Sequence, residues 1–127
     1  MIDLAPFAEA VGRDDEVTIA GLRTRGGPVA NVPCVSAPAG VDWVQPDEMV
    51  VGCGAGTPVQ DVNAVLAEHG QRLALPASGT VGGALAVGHS GIRRLGDGPV
   101  RDALLQARYV SAAGEIVTNA HVIEGFA

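Results

Sequence analysis

Positive charge is scarce in this chain. Eight basic residues stand against fourteen acidic ones over 127 residues, leaving a formal net charge of −6, so the basic footprint of a nucleic-acid-binding surface is missing. Cysteine is scarcer still. Cys34 and Cys53 are the only two, nothing in their placement argues for a disulfide, and each sits in an apolar, strand-like run where a free thiol behaves as a small hydrophobe. Both are expected to be buried. No apolar run approaches the ~20 residues that cross a bilayer, and the opening MIDLAPFAEAVGRDDE has no basic segment ahead of an apolar one, as a signal peptide would. Repeats and low-complexity tracts are also absent. These absences point to a soluble cytoplasmic protein with a small-molecule partner, bound neither to nucleic acid nor into a membrane. What is present is hydrophobic: 47% of the residues, enough for one modest core.

In chain order, Asp3 caps a predicted helix whose apolar residues Leu4, Phe7, Ala8 and Val11 share a face, with Pro6 tolerated in the first turn and Gly12 as the stop. Val17 to Ala20 reads as a β-branched strand. It runs into Gly21-Leu22-Arg23-Thr24-Arg25-Gly26-Gly27, which suits either an anion-binding loop or an ordinary solvated turn. Val32 to Ala37, Val41 to Val44 and Glu48 to Cys53 read as short strands of an antiparallel meander. The clearest helix signal follows: Thr57 as N-cap, Pro58 at the first helical position, Gln60 three residues after the cap, a face of Val62, Val65, Leu66 and His69, and Gly70 as the stop. Arg72 to Leu75 is expected as a strand, and Ala103 to Ala112 with Glu115 to Thr118 as a hairpin.

The stretch PASGTVGGALAVGHSGIRRLGDGPVRD, Pro76 to Asp102, concentrates the chemistry. Gly79, Gly82 and Gly83 are costly unless the backbone needs special dihedrals or close approach to a neighbour or ligand. A GxGxxG after a strand, with an acid about 20 positions on, is not found, so a doubly wound nucleotide fold is excluded. Arg93 and Arg94 can meet phosphate or pair with Asp97 and Asp102, the arrangement favoured here. His89 is read as an exposed loop residue.

With CGAGTPVQDVNAVLAEHGQRLALP, GTVGGALAVGHSGIRRLGDGPVRD and ARYVSAAGEIV in this order, the chain resembles the PCMH-type FAD-binding domain of the vanillyl-alcohol oxidase and p-cresol methylhydroxylase superfamily. Within it, the chain is most similar to the FAD-binding subunit of glycolate oxidase. The resemblance implies an α+β fold of two subdomains, residues 1–46 and 47–127, with FAD between them and the C-terminal part incomplete. It implies a first cofactor loop at Gly21, Leu22, Arg23 and Thr24, although Leu22 and Arg23 stand where the family favours glycine. It implies a second at Pro76, Gly79, Thr80, Val81, Gly82 and Gly83, partly through N–H groups at a helix start, with Ala86, Ser90 and Gly91 passing close to the flavin. No histidine occurs between Gly21 and Gly27, which implies non-covalent FAD. The implied activity is oxidation of a 2-hydroxy acid such as glycolate or lactate; no catalytic base is identified.

Two rival readings follow. The chain could be a non-catalytic flavoprotein fragment, or a subunit whose flavin site another chain completes. Separately, VTNAHVI resembles the histidine segment of trypsin-fold proteases, but only Glu124 to Ala127 come after it, which leaves no room for the aspartate and serine of a triad. His121 is then expected to be a tail residue.

Overall fold

The computed structural model describes residues 1–13, 16–24, 26–88 and 94–121. It is a mixture of helix and strand, as the α+β expectation requires. Helix α1 spans Ala5–Val11; the Ala5 N–H donates to Asp3 Oδ1 at 3.0 Å, and Gly12 ends the helix at φ +69°. Strands β1, Thr18–Ile19, and β2, Cys34–Val35, pair in parallel. This corrects the start of the expected meander, because Cys34–Val35 pairs with β1 and not with the strand at Val41 that follows it. The chain between the two strands is long enough to return to the starting end, which a parallel pairing needs. Strands β3, Val41–Gln45, and β4, Val50–Cys53, form the antiparallel hairpin that the sequence suggested, turning through a 3-10 segment at Pro46–Glu48 and Met49 at φ +58°. Pro46, the last residue of the expected first subdomain, lies in this turn. The third pair is the hairpin of β5, Gln106–Val110, and β6, Ile116–His121. His121 is therefore a strand residue opposite Gln106, not a tail.

Helix α2, Val59–Ala67, supplies half of the buried hydrophobic residues among those described. Val59, Val62 and Leu66 fall on one face, at 0%, 0% and 5% exposure, and are joined by Val11, Ala84 and Val100. Fully burying a valine or leucine contributes about 1.5–3 kcal/mol, so this stripe anchors the helix. The face is rotated slightly from expectation: Val65 is half-buried and His69 exposed. Gly70 does end the helix, in the left-handed region at φ +69°, with the Gln71 N–H bonding to Leu66 O and the Gly70 N–H to Ala67 O, the paired bonds of a Schellman stop.

No strand forms at Arg72 to Leu75. The Leu73 N–H is taken instead by a side-chain acceptor, Asn63 Oδ1, at 2.8 Å. Helix α3 spans Val81–Val87 and α4 Arg94–Asp97, and a 3-10 turn at Val100–Ala103 leads into β5. The last hairpin folds back on the first helix: Arg108 Nη1 donates to Ile2 O at 2.9 Å, and Gly114 sits against the Gly12 carbonyl. The cysteines are both free, but Cys34 is exposed and Cys53 half-buried. Burial fails at Cys34 because β2 pairs only with β1 and presents that side chain outward. Among the described residues no helix is long and apolar enough to cross a membrane.

Candidate functional site

Two threonines are the buried polar residues of the described chain, Thr57 at 3% and Thr80 at 6% exposure. The sequence favours Thr57 as a helix cap, but its hydroxyl does other work. It donates to Gly54 O at 2.7 Å and accepts the Gly40 N–H at 2.8 Å, tying the Gly54-Ala55-Gly56 loop to the segment before β3. Further bonds from Gly54 N–H to Gly40 O and from Gly56 N–H to Pro38 O, at 2.9 and 2.8 Å, close the same seam. Helix α2 starts one residue beyond the expected position, at Val59, with no side-chain cap.

The second loop is placed by an antiparallel bridge between Pro58 and Thr80. The Val59 N–H donates to Gly79 O and the Val81 N–H to Thr57 O, each at 2.9 Å. As a result α2 and α3 start side by side from one bridge. Thr80 caps α3, its Oγ1 accepting the Gly83 N–H at 3.1 Å. Gly82 donates its N–H to Ala55 O at 2.8 Å, and a Cβ at Gly82 would lie 2.7 Å from the Ala55 Cβ. Glycine is required there for packing of one loop on the other.

The backbone N–H groups around the start of α3 fall into two sets. The N–H groups of Val81, Gly82 and Gly83 are all engaged within the protein, whereas those of Ser78, Gly79 and Thr80 donate to no acceptor among the described residues. Gly79 is buried, at φ +81°, a conformation that turns the backbone where a side chain would be strained. The N–H groups without a protein acceptor thus lie one turn before the helix start, on exposed Ser78 and on buried Gly79 and Thr80.

The first loop reaches the same place. A Cβ on Gly21 would lie 3.1 Å from Thr80 Oγ1 and 3.2 Å from its Cγ2, so the end of β1 abuts the start of α3. Leu22, Arg23 and Thr24 follow as exposed residues, Arg23 at φ +58°. Pro76 is half-buried before the bridge, and Ala86 is exposed on α3. Ser90 and Gly91, with His89 and Arg93, lie outside the described residues. Asp97 is held by Arg72 through two hydrogen bonds of 2.7 and 2.8 Å. The sequence reading missed both this pair and the roles of Thr57 and Ala55. An ion pair 25 residues apart leaves no periodic signal, and Thr57 already satisfies a helix-cap pattern that hides its other use.

The two loops thus meet at the start of α3, beside backbone N–H groups that bond to no acceptor among the described residues. The chain belongs to the FAD binding domain family, whose match spans residues 35–119. FAD is its cofactor, and the match supports an FAD-binding domain of the PCMH type. The matched span contains the whole second loop and its seam with Ala55 and Thr57, and it runs to Asn119, inside the protease-like segment. The first loop, Gly21 to Thr24, precedes it. No curated protein matches the chain.

Proposed function

We propose that the chain is the cofactor domain of an FAD-dependent oxidoreductase acting on a 2-hydroxy acid such as glycolate or lactate, and that it holds FAD without a covalent bond. The observation that carries the cofactor placement is the contact of Gly21 with Thr80, which joins the two loops beside the unbonded N–H groups of Ser78, Gly79 and Thr80. In this reading Gly79 and Thr80 receive the diphosphate, and Gly21, Leu22, Arg23 and Thr24 flank it, with the Arg23 guanidinium as a nearby cation. Val81, Gly82 and Gly83 shape the loop, and Ala86 offers a small exposed surface on α3; Ser90 and Gly91 remain part of the proposed site. Bound FAD supplies a two-electron acceptor, and the protein supplies placement and charge. The 2-hydroxy acid rests on the resemblance of the loop sequences to the glycolate oxidase FAD subunit.

Titrating the purified chain with FAD tests the placement: the flavin fluorescence is expected to quench and the visible spectrum to shift. A chain that leaves the fluorescence unchanged at tens of micromolar FAD overturns it. The substrate reading is tested by glycolate or lactate with an artificial electron acceptor.

A second reading has its own support. Ile19, Leu22, Val29, Leu105 and Tyr109 are exposed apolar or aromatic residues, and both edges of each two-stranded ladder lack a further strand among the described residues. These features suit a cofactor-holding unit that another chain completes. FAD binding without turnover, with turnover appearing only when a second chain is added, would favour it.

A further inference from the structure

We infer that the Arg72–Asp97 ion pair is a clasp that positions α3 and the cofactor loop ahead of it; the inference rests on the proposed placement of FAD at that loop. Arg72 lies four residues before Pro76, on the approach to the loop, and Asp97 ends α4, beyond α3 in sequence. Their two hydrogen bonds, Nη1 to Oδ2 at 2.7 Å and Nη2 to Oδ1 at 2.8 Å, are the parallel pair in which a guanidinium fixes a carboxylate in orientation as well as distance. The segment between them contains the bridge at Thr80 and all of α3.

Both ends of the clasp are tied to the core. On one side, Leu73 is held to α2 by its 2.8 Å bond to Asn63 Oδ1, and Gln71 Nε2 donates to Pro46 O at 2.9 Å. On the other, Val100, three residues after Asp97, is buried at 3% exposure in the 3-10 turn that packs against α3. Asp97 thus locates the turn that backs α3, and Arg72 locates Asp97 relative to α2. With α2 and α3 already joined at the Pro58–Thr80 bridge, the clasp ties the turn packed against α3 back to the approach to the same loop. The Asp97 side chain is mostly buried, at 17% exposure against 45% for Arg72, so the pair is partly shielded from solvent screening.

Arg72→Glu tests the clasp by placing two carboxylates together. FAD binding is expected to weaken about fivefold, the scale of one well-formed ion pair, and the charge exchange Arg72→Asp with Asp97→Arg is expected to recover most of it. Amide hydrogen exchange over Val81–Val87 in the flavin-free chain is a second measurement: it should be faster in Arg72→Glu and restored in the exchanged variant. A purely structural loss would lower the melting midpoint in both variants and would not be rescued. FAD affinity within twofold of the unaltered chain in Arg72→Glu, or unchanged exchange over α3, overturns the clasp. If the unaltered chain takes up no FAD, the cofactor placement fails, and the exchange measurement still decides the clasp on its own.

Discussion

At the scale of single residues, the site depends on side chains doing what no neighbour can replace. Thr80 is the sharpest case, because its hydroxyl caps α3 while its methyl and Oγ1 abut Gly21. Thr80→Val keeps the shape and removes the cap, leaving the Gly83 N–H without its acceptor; a lost cap costs about 1 kcal/mol. The melting midpoint should fall by about 4 °C, and Thr80→Ser, which retains the oxygen, should lose less. Gly82→Val acts by another route. Its Cβ would press on Ala55, and overpacking of this kind costs about 1–3 kcal/mol, so the variant should unfold at lower denaturant with FAD absent; an unchanged urea midpoint would show that the seam gives way freely. Burial raises the pKa of the Cys53 thiol from its ordinary value of 9.0. The unfolded chain then gives up that proton at lower pH than the folded one, so the contribution is fully present below the unfolded pKa and is lost as pH rises through the folded value. Stability should therefore decline above about pH 9 more steeply in the unaltered chain than in Cys53→Ala, as read from urea melts at successive pH values.

At the scale of elements, what was legible in the sequence was what local chemistry decides. The α1 stop at Gly12, the α2 stop at Gly70 and the β5–β6 hairpin follow from turn residues and apolar spacing, and each formed near its expected place. The misses share a cause: they depend on a partner distant in sequence. Arg72 to Leu75 has strand-like composition, but a strand needs another to pair with, and Asn63 supplied a side-chain acceptor instead. Thr57 has the local pattern of a cap, yet Gly40 and Gly54 compete for its hydroxyl and win. The glycine-rich loop before α3 was visible as a run of small residues, but which of its N–H groups bond within the protein was settled by Ala55 and Thr57, more than twenty residues earlier. The β3–β4 hairpin shows the same dependence, for Trp43 lies opposite Gly52 and its indole occupies the space a Cβ on Gly52 would need. Trp43→Ala should strip that cover, and with 45% of the residue exposed the loss should be a fraction of the 3–5 kcal/mol typical of a core aromatic. A thermal midpoint lowered by only a few degrees, with α2 still protected from hydrogen exchange, is the expected result.

At the scale of the whole molecule, the balance between core and surface makes the cofactor part of the stability. Among the described residues the largest fully buried side chains are those of Val59 and Val62, both on α2, while Ile19, Leu22, Val29 and Leu105 are exposed. So small a core leaves the flavin-free chain near the lower end of the usual 5–15 kcal/mol. A ligand that binds only the folded state then raises stability by mass action, about 2.7 kcal/mol at a free concentration one hundred times Kd. For a domain of this size that is a rise of about 10 °C in the melting midpoint, and it should keep increasing with the logarithm of FAD concentration. The part of the cofactor responsible can be separated. Because the N–H groups of Ser78, Gly79 and Thr80 bond to no acceptor among the described residues, ADP should raise the midpoint and riboflavin, which has no phosphate, should raise it much less. The reverse order would move the principal contact from the diphosphate loop to the isoalloxazine, and a midpoint unmoved by FAD, ADP and riboflavin alike would show that the junction of Gly21 and Thr80 holds no cofactor in this chain.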